Sequence, residues 1–343
     1  MQNMNLSKGE VAEEVLRDYF LEQDYFVVRG IPFKYKSFDV TDVDLWLYMK
    51  TSSLTRERIN VDIKRKKTPQ ALERIFWAKG LQTVLGLDKC VVCTTDKRQL
   101  VREFGTEHDV HVLDGDFYSR LTSRGLFNSD RISEEDLLLH LSSQDNYSSE
   151  QSQKYKIAKT YLLTKLDFDG VNSLLKDIKY WMEKAIISKD VSNITSLRML
   201  YITISFFLIN LDYISKNIIH LNQDSRFSYL RDGFRYGQMG EGKSQDIIEI
   251  VIKLSSSMNS SSQEDILRNV FFDQYKILDT EILAEFFSKV SNLKILFDNA
   301  LTFEEYGYAG NIKTPSQLGV EMKSLIGLLS DFLGIDRKNI LDI

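Results

Sequence analysis

Proline is scarce in this chain, three in 343 residues. Small β-modules linked by proline-rich turns are therefore not expected, and the abundance of Leu, Ile, Lys, Glu and Ser favours helix. Cysteine is scarcer still. Two residues give no disulfide framework and no leader-like segment opens the chain, so a cytoplasmic protein is expected. Positive charge is not in excess either. A net charge of −5 excludes a wholesale nucleic-acid coating protein, while a local basic groove stays open because steering depends on where the charges sit. Long apolar runs are also missing. The longest, Met199 to Leu211, is interrupted by Thr203, Ser205 and Asn210 and falls short of the ~20 residues a membrane span requires. It reads as a buried helix, and no membrane association is expected. What remains is an ordinary globular composition, 43% hydrophobic and 27% charged, in a chain long enough for two domains.

In chain order, residues 7 to 23 read as a helix. Ser7 caps it, Glu10 completes a capping box, and Val11, Ala12, Val15, Leu16, Tyr19 and Phe20 form its buried stripe. Tyr25 to Arg29 reads as a strand ended by Gly30-Ile31-Pro32. Two further strands, around Asp44 and Asp62, are joined by the polar turn Thr51 to Glu57. Pro69 suits the start of a helix running to about Leu85. Lys89 to Thr94 is a short apolar strand, Lys97 to His108 a helix, Val110 to Leu113 a strand and Asp116 to Arg124 a helix. The order predicts an α/β domain over residues 1–140, with a mixed central sheet flanked by helices. The hydrophilic run SSQDNYSSEQSQ marks a linker at 141–154. Beyond it the apolar period is helical throughout, which predicts an all-α helical domain over 155–343.

The chemistry concentrates between Asp42 and Gln82. Side chains at i and i+2 of a strand share a face, so Asp62 and Lys64 point together, as do Asp42 and Asp44 on the strand before. If these strands pair, three carboxylates and an ammonium converge. Hard carboxylate oxygens suit Mg²⁺, which keeps several of its waters. Arg65, Lys66, Lys67, Arg74 and Lys79 follow at once and supply positive charge for a phosphate backbone.

The order αβββαβ, with an acid on one strand and Asp-x-Lys on the next, resembles the PD-(D/E)XK (restriction endonuclease-like) nuclease superfamily over roughly residues 7 to 122. The resemblance implies that Asp44 and Asp62 are the paired acids and metal ligands and Lys64 the catalytic lysine. It implies a Mg²⁺ (or Mn²⁺) cofactor and a phosphodiester-hydrolysing function on nucleic acid, most readily DNA, in a restriction or anti-phage setting. Gln82 stands where some members carry a glutamine, and Glu13 matches the acid that others place on the first helix, with Glu14 and Glu10 as rivals. Val43 replaces a common proline, and Asp62 a commoner glutamate. A catalytically inactive nuclease fold that only binds DNA is the alternative.

Other signals weigh less. GQMGEGKS, residues 237–244, fits the P-loop pattern G-x-x-x-x-G-K-[ST], but no convincing strand precedes it, so a flexible glycine loop between helices is expected rather than a nucleotide site. Cys90 and Cys93 point to opposite faces of a strand and read as buried structural thiols. His108 and His111 lack metal partners. The pairs Phe206-Phe207, Phe271-Phe272 and Phe286-Phe287 read as bundle core. A protein partner or a second copy docking on the helical domain is the remaining expectation.

Overall fold

Alternating apolar runs in the first half of the chain pair into one five-stranded sheet. In this computed structural model, residues 6–36, 38–64, 70–123, 130–142, 148–188, 191–258, 268–269 and 279–343 are described. They divide into two compact units, Met1–Thr164 with Ala300–Ile312, and Lys165–Asn299 with Lys313–Ile343. The predicted boundary at 141–154 came earlier than this division, and residues 143–147 of that run lie outside the described residues.

The first unit opens with α1 (Lys8–Leu21), β1 (Phe26–Tyr35), β2 (Phe38–Lys50), β3 (Arg56–Lys64), α2 (Ala71–Leu85), β4 (Lys89–Thr94), α3 (Gln99–Glu107), β5 (His111–Leu113) and α4 (Gly115–Ser123). Strand order follows chain order. β1, β2 and β3 are antiparallel, because hairpin turns join them, and β4 and β5 add in parallel through helical crossovers. Alternation sorts the side chains between two helical layers. Leu45, Leu47, Ile59, Val61 and Cys93 pack with α1 and α4, whereas Cys90 and Val92 pack with Ala71, Ile75 and Ala78 of α2 and Val101 of α3. Each fully buried Leu, Val or Ile contributes ~1.5–3 kcal/mol to that core.

α1 begins as expected: Ser7 N donates to Glu10 Oε2 at 2.6 Å and Glu10 N to Ser7 Oγ at 3.3 Å. β1 does not end at Gly30. Gly30 takes a positive φ of 56° that suits a residue without Cβ, and the ladder resumes with Ile31 opposite Val43 and Pro32 opposite Asp42. Proline is tolerated there because β1 is an edge strand with no partner on its other side.

Two more helices belong to this unit, α5 (Glu134–Ser142) and α6 (Ser148–Thr164). α6 carries Tyr155 and Lys159, both buried, and Lys159 Nζ donates to the carbonyl of Arg29 at 2.7 Å. That contact ties the helix to β1, and the second half of the hydrophilic run, Ser148 to Gln153, forms the start of α6.

The second unit is helical, and no strand occurs among its described residues. It comprises α7 (Phe168–Ile187), α8 (Val191–Ser215), α9 (Gln223–Tyr236), α10 (Gly240–Met258), α11 (Thr280–Ser288), α12 (Val290–Lys294), the start of α13 (Leu296–Tyr308), α14 (Val320–Leu333) and α15 (Arg337–Leu341). α7 and α8 pack on each other, as do α9 and α11. α8 is the apolar helix foreseen, and it is longer than its run of apolar letters. Residues 193–215 are long and apolar enough to cross a membrane, yet 94% of an 18-residue apolar stretch within them is buried inside the protein. Phe206, Phe207 and Phe287 are core residues; Phe271-Phe272 lie outside the described residues.

Candidate active site

β2 and β3 pair with Leu45 opposite Val61 and Trp46 opposite Asn60. Since Leu45 and Val61 face α1, the intervening residues face α2, and Asp44 comes next to Asp62 across the ladder. The Ile63 backbone N–H donates to Asp44 Oδ2 at 2.7 Å. Burial pushes the Asp44 carboxyl above its ordinary pKa. The Ile63 amide, Arg74 and Lys64 work against that rise, and Asp42 adds to it. Lys64, two residues beyond Asp62, is thus near enough to act on Asp44. The predicted trio of strand carboxylates is incomplete, because Asp42 is exposed opposite Pro32, past the end of the β2–β3 ladder.

Asp62 is 5% exposed and has a cation on it. Arg74, in the first turn of α2, donates from Nε to Asp62 Oδ2 at 2.7 Å and from Nη2 to Oδ1. Its guanidinium also lies 5.8 Å from the Trp77 ring centroid. The sequence suggests a phosphate contact for Arg74; in the structure it neutralises one of the two acids. Burial lowers its pKa and the charge of Asp44 opposes that.

Glu13, on α1, accepts from Arg29 Nη2 at 2.6 Å and Nε at 3.3 Å. Burial raises its pKa against the pull of Arg29, and Asp44 and Glu135 raise it further, so Glu13 is within electrostatic reach of Asp44. Its rivals are committed elsewhere. Glu10 is the capping residue of α1, and Glu14 is bound to Arg29, to the Glu134 amide at 2.9 Å and to Arg17 at 3.6 Å.

Gln82 does not join the site. Its Nε2 donates to the Asp88 carbonyl at 3.0 Å, and Asp88 N in turn donates to Arg58 O at 2.8 Å. Arg58 lies four residues before Asp62 on β3, about 13 Å along a strand. α2 runs back along the sheet, so a residue in its last turn finishes at the wrong end. Lys79 lies on the same helix, with Nζ 3.4 Å from Asp109 Oδ2. Arg65, Lys66 and Lys67 lie outside the described residues.

Among the described residues no group of three or more His, Cys, Asp or Glu side chains is arranged to hold a metal ion. The donor set that remains, Asp44 with Asp62, still fits Mg²⁺, which is commonly held by one or two carboxylates with waters and phosphate oxygens filling the other positions. The guanidinium on Asp62 shows that this carboxylate already takes a cation.

Behind the site lies a buried network that the sequence did not suggest. Arg29 binds Glu13, Glu14 and Glu135; burial alone would lower its pKa, but these three carboxylates raise it above the usual arginine value. Glu134 accepts from Lys159, from Tyr155 Oη at 3.0 Å and from Tyr308 Oη at 2.7 Å. Glu304, on the stretch of α13 that belongs to this unit, accepts from Arg17 Nη2 at 2.8 Å and Arg131 Nη2 at 2.6 Å. One local signal was available. Ser133-Glu-Glu-Asp136 is a capping pattern, with Asp136 N donating to Ser133 Oγ at 3.1 Å, and it announces α5. A groove of about 990 Å³ opens beside Glu13 and Asp42. Six acids and four bases line it, which does not suit a phosphate backbone.

The remaining motifs are structural. Gly237–Met239 is a 3₁₀ turn between α9 and α10, and Asp169 Oδ1 accepts from the Gln238 amide at 2.9 Å. A carboxylate thus holds a backbone N–H of the kind a P-loop would turn toward phosphate. Cys90 and Cys93 are buried on opposite faces of β4, and burial pushes their thiols up to about 11 and about 12. The His108 ring lies 4.4 Å from that of Phe104, and His111 is exposed. No family model matches this chain, and no curated protein and no solved structure matches it.

Proposed function

We propose that the first unit is a divalent-metal-dependent nuclease of the PD-(D/E)XK type, acting on DNA before RNA. The observation that carries this reading is the adjacency of Asp44 and Asp62 across β2 and β3, with Lys64 two residues further on the same strand. The αβββαβ order and the mixed sheet support it. A divalent cation held by this site would supply charge neutralisation at the phosphate and a more acidic water. Asp44 and Asp62 would hold it, Lys64 would orient the attacking water or steady the scissile phosphate, and Glu13 would fix the outer edge of the site through Arg29. Nucleic acid approaches over Lys64 and α2, because the groove on the Glu13 side is too acidic for phosphate. The helical unit recruits a partner or a second copy, and a role in restriction or phage defence rests on analogy of fold alone.

A second reading has an observation of its own: Arg74 bonds both oxygens of Asp62, as in a fold that binds DNA and has lost turnover. Hydrolysis of labelled duplex and single-stranded DNA and RNA in Mg²⁺ and Mn²⁺ separates the two. Asp44→Asn and Asp62→Asn are expected to lose metal binding and cleavage together. Lys64→Ala is expected to keep the metal and lose roughly 10²–10⁴-fold in rate. Cleavage by Asp62→Asn at the wild-type rate refutes the nuclease assignment, and DNA binding without cleavage under any metal condition selects the second reading.

A further inference from the structure

We propose that Arg74 is an exchangeable cation of this site, which occupies Asp62 while no metal is bound and passes to a substrate phosphate when a divalent ion takes its place. The inference rests on the nuclease reading above and adds a residue and a sequence of events to it.

The two partners of this ion pair are unequal. Asp62 is 5% exposed on a central strand and cannot move away, whereas the Arg74 side chain is 23% exposed on the first turn of a helix at the surface. The guanidinium uses both carboxylate oxygens, and a metal ion needs at least one of them. Two cations on one buried carboxylate repel each other, so binding of the ion and retention of Arg74 oppose one another. The displaced guanidinium is then left beside the site with its planar fork of donors free. That fork matches phosphate in a bidentate manner, as an ammonium does not. Trp77 lies one turn away on the same helix, and its ring supports the guanidinium. The empty site is in this way kept near neutral, and the loaded site gains a phosphate grip where the metal draws phosphate in.

The first measurement is calorimetric titration of MnCl₂ into wild type, Arg74→Ala and Arg74→Lys. Relief from a bidentate competitor is expected to tighten Mn²⁺ binding about tenfold in Arg74→Ala and by a smaller factor in Arg74→Lys. The second is affinity for a 20-base-pair duplex in saturating CaCl₂ across a salt series. Loss of one phosphate contact is expected to weaken binding of Arg74→Ala about tenfold and to flatten its salt slope by about one. Tryptophan fluorescence gives a third readout, because Trp77 is half-exposed while Trp46 and Trp181 are buried. Mg²⁺ should change the emission of wild type and leave that of Arg74→Ala unmoved. Where Arg74→Ala does not fold, as judged by circular dichroism, Arg74→Lys carries the comparison. Equal or weaker Mn²⁺ binding in the variants overturns the exchange, and so does an unchanged salt slope. Absence of Mn²⁺ binding to wild type and to both variants overturns the nuclease reading together with it.

Discussion

Glu304 offers the sharpest test of how the first unit is held together. Arg17 is 1% exposed and its partner Glu304 is 3% exposed, and the same carboxylate oxygen also accepts from Arg131. Tyr308 adds its ring, with the Arg17 guanidinium 3.8 Å from the centroid. Glu304→Gln keeps the shape and removes the charge. Arg17 is then left with Glu14 at 3.6 Å, and Glu14 is already shared with Arg29. Removing one member of a buried pair costs about 3–5 kcal/mol, because the surviving charge stays out of water without compensation. For a unit of this size each kcal/mol moves the midpoint by ~2–4 °C, so a fall of ~6–20 °C is expected. Thermal and urea unfolding should be followed by tryptophan fluorescence in a Trp181→Phe background, where Trp46 and Trp77, both in this unit, are the remaining reporters. A loss below ~1 kcal/mol, the range of an exposed pair, would refute the claim that this charge is essential to the unit. Replacing Arg17, Arg131 and Glu304 together by apolar residues of like volume should recover much of the loss.

Two further outcomes follow from named residues. Burial works to raise the Glu134 carboxyl, but Lys159, Arg17 and Arg29 outweigh it and hold it at about 2, against 4.5 for the free group. Its contribution is therefore complete above pH 4.5 and lost as pH falls toward 2; Glu134→Gln should flatten the stability–pH curve in that window, and an unchanged curve would count against the network. Lys243→Ala should leave ATP and GTP affinity unaltered in an equilibrium binding assay, since Lys243 lies in the first turn of α10, the 3₁₀ turn before it joins two helices, and Asp169 holds the Gln238 amide; a measured loss would reinstate the nucleotide site.

Local signals carried far in this chain and distant ones did not. Ser7 with Glu10 marked the start of α1, because a capping box closes within four residues. The alternation Ile59, Val61 against Asn60, Asp62 put the acids on one face of the sheet, because side-chain period in a strand is fixed by the backbone. Gly30 and Pro32 misled, since neither residue type reveals that its strand lies at the sheet edge. Gln82 misled for a different reason: its distance from the acids depends on where along a helix it falls relative to the end of the sheet. Arg74 could be recognised as basic and placed on a helix, but a run of basic residues does not disclose which one turns back to a carboxylate. Arg29, Lys159 and Glu304 were illegible. Each looks like a surface charge in its own neighbourhood, and only partners up to 287 positions away make it a buried one.

The path of the chain has a consequence for how the protein comes into being. Residues 300–312 complete the first unit, yet they are made only after Lys165–Asn299. Until they leave the ribosome, Arg17 has no Glu304, and the Tyr155 and Glu134 hydroxyl–carboxylate cluster has no Tyr308. At ~5–20 residues per second the nascent chain spends roughly 10–40 seconds with every strand of the sheet synthesised and its buried charges unmatched. The first unit is thus closed only after most of the second has been made. A chain terminated before residue 300 would carry Asp44, Asp62 and Lys64 without the scaffold that steadies them, so the chemistry proposed for these residues becomes available only to a molecule translated past residue 312.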